Sequence, residues 1–195
     1  MITGTSGEGK STLARRLVTR VEGLELAISA TTRPRRPGEE DGRDYWFISE
    51  EEFDRRLAKG EFLEYVELPW GPGYRSGTLW SELERIRGHG GAPLLEIETG
   101  GALAVRDRVP EAVTIFVTAP SKEELERRLR ERATESEGEI DERLDEAERQ
   151  LEHGPEFGHT IVNDDLERAL AELEAIVRDE LRRAGSIPAR DSSSR

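Results

Sequence analysis

The chain has 195 residues, no cysteine and a formal net charge of −13, with 36% of residues charged and 34% hydrophobic. That length supports one well-packed core carrying small lobes. The acidic balance argues against a general nucleic-acid binder or an anionic-membrane binder, so any anion site must be a local cluster of bases, and the missing cysteines exclude disulfides and thiolate metal sites.

In chain order, the first strong element is a helix from about Lys10 to Val21, with Leu13, Leu17, Val18 and Val21 along one side. "LELAI" (24–28) reads as a strand. From Thr31 to Asp44 prolines and glycines forbid a long helix. "YWFI" predicts a strand, and "SEEEFDRRLAKG" a helix capped by Ser49 with Glu52 reaching back to it. "EFLEYVEL" predicts a strand; "PWGPGYRSGT" (69–78) predicts a loop leading into the helix "LWSELERIRG". "APLLEIE" (92–98) predicts a buried strand, with a helix near residues 102–108. "AVTIFVTAP" (112–120) is rich in β-branched residues and predicts a strand. "SKEELERRLRER" opens with a second capping box, Ser121 to Glu124, and Ile140, Leu144, Ala147 and Leu151 share one face of the next helix. "HTIVN" predicts a last strand, Leu166, Leu170, Leu173 and Val177 stripe the closing helix, and 185–195 reads as a disordered tail.

Strands alternating with helices imply a parallel sheet covered on both faces. The three histidines (His89, His153, His159) have no ligand spacing, and no apolar run reaches membrane-spanning length. "MITGTSG" lacks the plan of a signal peptide, so a cytoplasmic protein without membrane or nucleic-acid partners is expected; the sequence gives no oligomeric state.

"GTSGEGKS" (4–11) fits G-x-x-x-x-G-K-[ST]. Glycines let successive N–H groups turn inward on a phosphate, Lys10 adds a cation, Ser11 offers a hydroxyl to magnesium, and the following helix points its positive end at the anion. Only Met1, Ile2 and Thr3 precede Gly4, whereas a strand feeding such a loop runs to roughly 5–6 residues. The expectation is that the first strand is cut short or that the chain begins inside a longer natural one.

A second anion site is expected at "TTRPRRPGEEDGRDY" (31–45), where Arg33, Arg35 and Arg36 sit on a proline-stiffened chain suited to forked contact with a phosphate. Glu39, Asp44 and Glu64 lie close behind. A carboxylate accepts from both N1–H and N2–H of guanine, donors that adenine lacks. Arginines for a phosphate and an acid for a donor-rich base make a nucleoside monophosphate pocket.

"GTSGEGKST", "SATTRPRRPGEEDGRDYWF", "EFLEYVE", "APSKEELERRLRERATESE" and "IVNDDLE" occur in the order seen in guanylate kinases, and the chain resembles that family over nearly its whole length. The resemblance implies an α/β P-loop kinase fold within residues 1–184. Its core would comprise 1–28, 79–120 and 141–184, with a GMP-binding lobe at 29–78 and a lid at 121–140. It implies transfer of the ATP γ-phosphoryl group to GMP and dGMP with magnesium. By resemblance, Ser29, Arg33, Arg36, Glu39, Tyr45, Glu64, Thr78 and Glu98 hold GMP. Of these, Arg33, Arg36 and Tyr45 meet its phosphate, and Ser29 and Glu64 its base. Gly4, Ser6, Gly7, Gly9, Lys10, Ser11, Thr12 and Asn163 hold ATP, with Ser11 at the magnesium position. Lys10, Arg33, Arg128, Arg132 and Arg143 carry the transferring phosphoryl. No base is required, because a GMP phosphate oxygen is already ionised at neutral pH.

The chain also departs from the family. The usual "NYYGTS" becomes "WGPGYRSGT", which puts Ser76 where a phosphate-contacting tyrosine stands and makes Tyr74 or Arg75 candidates to replace it. "LEIDVQG" becomes "LEIETGG", with Glu98 for aspartate and Gly100 for glutamine, and the lid's "GRG" becomes "ERA" at Glu131–Ala133. Two other readings stay open at this level: a kinase of another small phosphate ester, and a non-catalytic phosphopeptide-binding module.

Overall fold

The computed structural model describes residues 1–5, 7–68, 71–132 and 137–185, with backbone alone for 129, 131–132, 137–143 and 146. Its elements in order are β1 (Ile2–Thr3), α1 (Lys10–Arg20), β2 (Leu24–Leu26), β3 (Ala30–Thr31), β4 (Trp46–Phe47), α2 (Glu50–Ala58), β5 (Phe62–Glu67), β6 (Arg75–Leu79), α3 (Trp80–Gly88) and β7 (Ala92–Leu94). Then come α4 (Thr99–Arg108), β8 (Ile115–Thr118), α5 (Lys122–Arg132), α6 (Glu137–Glu152), a 3₁₀ turn (Gly154–Glu156), β9 (His159–Val162) and α7 (Leu166–Arg183).

β1, β8 and β9 pair in parallel, as do β2 and β7. The Ile2–Glu96 bridge, with Ile2 N donating to Leu95 O at 2.8 Å, joins the two sets into one parallel sheet of order β2-β7-β1-β8-β9. Alternate residues point to opposite faces. Ile2, Ile115, Val117 and Ile161 pack with Leu13 and Leu17 of α1 and with Leu170, Leu173 and Val177 of α7. On the other face Met1, Leu95, Ile97 and Phe116 meet Leu83 and Ile86 of α3, Ala102 and Val105 of α4, and Phe157. Each Val, Leu, Ile, Met or Phe among them, fully buried, contributes roughly 1.5–3 kcal/mol of transfer free energy. All five strands aim their C-terminal ends at one edge, which is where ligands bind in open parallel sheets.

A second sheet, β4-β3-β6-β5, carries antiparallel pairs and belongs to the segment between β2 and α3. α2 covers it, with Phe53 stacked on Phe62 (ring centroids 4.4 Å apart) and Ala30 and Leu79 completing a small core.

Several sequence expectations change. Part of the 69–78 loop is β6, because Gly77 lies so close to the Glu64 carbonyl and Phe62 that only a residue without Cβ fits the pairing. The helix expected near 102–108 begins at Thr99, through both Gly100 and Gly101. The strand expected over 92–98 is shorter, Ala92–Leu94, because β2 offers it only three partners, Leu24 to Leu26; the bridge at Glu96 lies beyond it. Each expected capping box is half made: Ser49 and Ser121 accept from the N–H of Glu52 and Glu124 at 3.2 Å. The two carboxylates turn to Arg55 and Arg56, and to Arg127 and Arg128, instead. The tail expectation, residue 185 apart, lies outside the described residues.

Candidate active site

The loop between β1 and α1 turns on Gly4, Gly7 and Gly9, with φ of 135°, 95° and 82°. A Cβ at Gly4 would strike the Val117 carbonyl, and one at Gly9 would strike the Asn163 amide, so the loop sits tight on the ends of β8 and β9. Lys10 folds back over the loop, its Nζ donating to Gly4 O (2.6 Å) and Thr5 O (2.7 Å). Ser11 and Thr12 are exposed at the start of α1. Asn163 is the anchor behind them: its N–H donates to Thr118 O, its Nδ2 to Glu8 O (2.7 Å), and its backbone carbonyl accepts from Arg128 (2.9 Å). Arg128 is further held by Glu124 at 2.7 Å, and hydrogen bonds from Arg127 and Arg128 pull the Glu124 carboxyl down to about 2. Gly7, Gly9, Thr12, Arg128, Asn163 and Asp164 line a cleft of ≈ 340 Å³. Ser6 lies outside the described residues, as do the side chains of Arg132 and Arg143.

Across the sheet edge the second sheet gathers another set. Glu64 on β5 is 3% exposed, and its Oε1 accepts from Thr78 N at 2.8 Å. Thr78 and Ser29 hydroxyls face each other at 3.5 Å, so three expected residues form one polar cluster. Burial raises the Glu64 carboxyl, with the Glu98 charge adding to the effect; Thr78 and Arg108 oppose it. Arg33 is buried, stacks on Tyr45 (4.7 Å from the ring centroid) and meets Glu39 through both terminal nitrogens (2.8 and 2.6 Å). Glu39 also accepts from Arg36 N, so its carboxylate stands behind the arginines and orients them. Arg36 itself is exposed. Burial raises the Tyr45 hydroxyl, the negative charges of Glu96 and Glu98 add to the effect, and Arg33 opposes it.

Glu96, just past β7, is a residue that sequence reasoning missed. It accepts from Ser11 Oγ at 2.6 Å, and its charge also acts on Tyr45, which couples the phosphate loop electrostatically to the arginine pocket. An acid at the C-terminal end of a buried parallel strand, level with a phosphate loop, was the available signal.

Comparison with known proteins decides the family. The guanylate kinase sequence profile matches residues 1–180. The guanylate kinase of Symbiobacterium thermophilum is 46% identical over 180 residues, covering 92% of this chain and 84% of that one. That of Rubrobacter xylanophilus is 47% identical over 178 residues, covering 91% and 92%. The crystal structure of guanylate kinase from Anaplasma phagocytophilum superposes with a TM-score of 0.74 at 30% identity, covering 97% and 96%. The chain belongs to the guanylate kinase family. It is an ATP-dependent nucleoside monophosphate kinase with the P-loop kinase fold.

In this guanylate kinase both candidate side chains of the altered hairpin have partners of their own within the lobe. Arg75 stacks over Phe53 (4.4 Å) and pairs with Asp54 (2.6 Å) and Glu50 on the side of the lobe covered by α2. Tyr74 lies against Gly71 within its own turn. Ser76 donates weakly to Ala30 O (3.3 Å). The replacement of glutamine at Gly100 leaves an exposed backbone position, whereas Gly101 beside it leaves the space that the Glu64 carboxylate fills.

Proposed function

We propose that this guanylate kinase transfers the γ-phosphoryl group of ATP to GMP, and to dGMP, in one in-line step. The single observation that carries the acceptor is the buried Glu64 carboxylate with Thr78 and Ser29 beside it, an acceptor set for the N1–H and N2–H of guanine. No residue in that set reads the sugar, so the 2′-hydroxyl is not required.

In this reading residues 29–78 are the GMP lobe, 121–140 the lid and the rest of 1–184 the core. Arg33, set by Glu39, and Arg36 take the GMP phosphate with the Tyr45 hydroxyl. Lys10 leaves the loop carbonyls for the β- and γ-phosphates, while the loop N–H groups cradle them. Arg128, Arg132 and Arg143 neutralise charge spreading over the moving phosphoryl; an arginine in this role is worth about 10³-fold or more in rate. The acceptor oxygen is already ionised, so positioning and charge stabilisation suffice without a general base or covalent intermediate.

Ser11 Oγ and the Glu96 carboxylate meet at 2.6 Å beside the loop, an all-oxygen pair that fits magnesium. Ser11, backed by Glu96, would hold the ion with the ATP phosphates, and bound magnesium would neutralise phosphate charge. Glu64→Ala tests the acceptor reading: KM for GMP should rise far more than KM for ATP. Equal effects on both would overturn it.

A further inference from the structure

Glu8 is the one acid inside the phosphate loop, and one of its oxygens is stranded. The residue is 1% exposed, Oε1 accepts from Thr5 Oγ1 at 2.6 Å, and Oε2 is buried with no hydrogen-bond partner among the described residues. The charged groups that face it there are Lys10 of α1 and Arg128 of α5, both acting at a distance. Lys10 spends its hydrogen bonds on Gly4 O and Thr5 O, and Arg128 on Glu124 and Asn163 O. The Glu8 backbone carbonyl, meanwhile, is fixed by Asn163.

We infer that Glu8 makes triphosphate binding proton-coupled, its carboxyl group taking up a proton as the loop binds ATP. An anionic carboxylate buried with an unsatisfied oxygen is costly, and the neutral acid is much less so. In the empty loop the two cations offset that cost in part. A triphosphate recruits those same cations and brings its own negative charge within the loop, which tips the balance to the neutral acid. Burial already lifts the carboxyl to about 7 against Thr5, Lys10 and Arg128, so a modest further rise falls in the working range. The sign follows from linkage: binding takes up a proton above pH 7, so affinity for ATP falls as pH rises.

The inference rests on the ATP reading of the loop. Its test is calorimetry with ATP on the whole chain, comparing wild type, Glu8→Gln and Glu8→Ala. Both variants remove the charge, and Gln keeps the acceptor for Thr5. Between about pH 6 and about pH 8.5, Kd for the wild type should rise about tenfold more than for either variant, the effect of roughly one unit of upward shift on binding. At about pH 7.5, buffers of different ionisation enthalpy should reveal proton uptake in the wild type beyond that of the variants. Identical pH profiles and proton counts in all three would overturn the inference while leaving the loop reading intact. No ATP binding at any pH by any of the three would overturn both.

Discussion

Gly101 gives the most searching test of how the acceptor pocket is held. In the first turn of α4, its missing Cβ leaves the space occupied by the Glu64 carboxylate; a methyl there would collide with both Oε2 and Cδ. In Gly101→Ala the backbone of α4 is held by the sheet on which it packs, so the carboxylate must yield and its 2.8 Å bond from Thr78 N lengthens. Hydrogen bonds to a charged group are worth about 1.5–3 kcal/mol each, so displacing the carboxylate from the guanine edge should raise KM for GMP by about 10- to 150-fold. KM for ATP should stay within about twofold, because Lys10 and the loop are untouched. Overpacking costs about 1–3 kcal/mol, offset by up to about 1 kcal/mol from replacing glycine within a helix, so a melting curve run beside the kinetics separates lost fold from lost fit. A folded variant with unchanged KM for GMP would refute the reasoning.

Other consequences follow from the same contacts. Glu39→Gln removes the charge that holds Arg33 by two contacts and should raise KM for GMP about tenfold, measured at saturating ATP. Asn163→Ala unties the loop from β9 and should weaken ATP binding by about 1–2 kcal/mol, read by calorimetry. Arg15, the Glu40 N–H and Arg43 hold the Asp44 carboxyl well below its usual range, linking α1 to the lobe. A depressed carboxyl stabilises fully above the unfolded value of about 4 and loses that contribution as pH falls below it; Asp44→Asn should therefore flatten the acid limb of a stability–pH curve, followed by thermal melting.

The parts readable in the sequence were those written in local chemistry. The phosphate loop needs glycines, a lysine and a hydroxyl in a row, and the striped helices α1 and α7 announce their buried faces. Glu64 is legible as an acid suited to a donor-rich base, Ser29 and Thr78 enter through resemblance alone, and the convergence of all three across the second sheet is visible only once the strands pair. Other features depended on distant partners. Gly100 and Gly101 argue against a helix by propensity, yet α4 runs through them, and Gly101 makes room for Glu64. Glu96 looked like an ordinary member of an apolar run until the parallel pairing set it against Ser11. Arg75 is one of two candidate phosphate contacts by sequence because its positive charge is local information, whereas its pairing with Glu50 and Asp54 comes from α2, on the far side of β5 in sequence. Glu8 falls at an x position of the phosphate-loop pattern, and its burial, a tertiary property, is what distinguishes it.

Acceptor choice is read most directly from ADP release with ATP and magnesium against GMP, dGMP, AMP, UMP and a sugar phosphate, run with wild type and Glu64→Ala. Turnover is expected on GMP and dGMP alone, lost with Glu64 through KM for the acceptor. Equal turnover on AMP, or a preference for a phosphate ester without guanine, would contradict the guanine-reading role of Glu64.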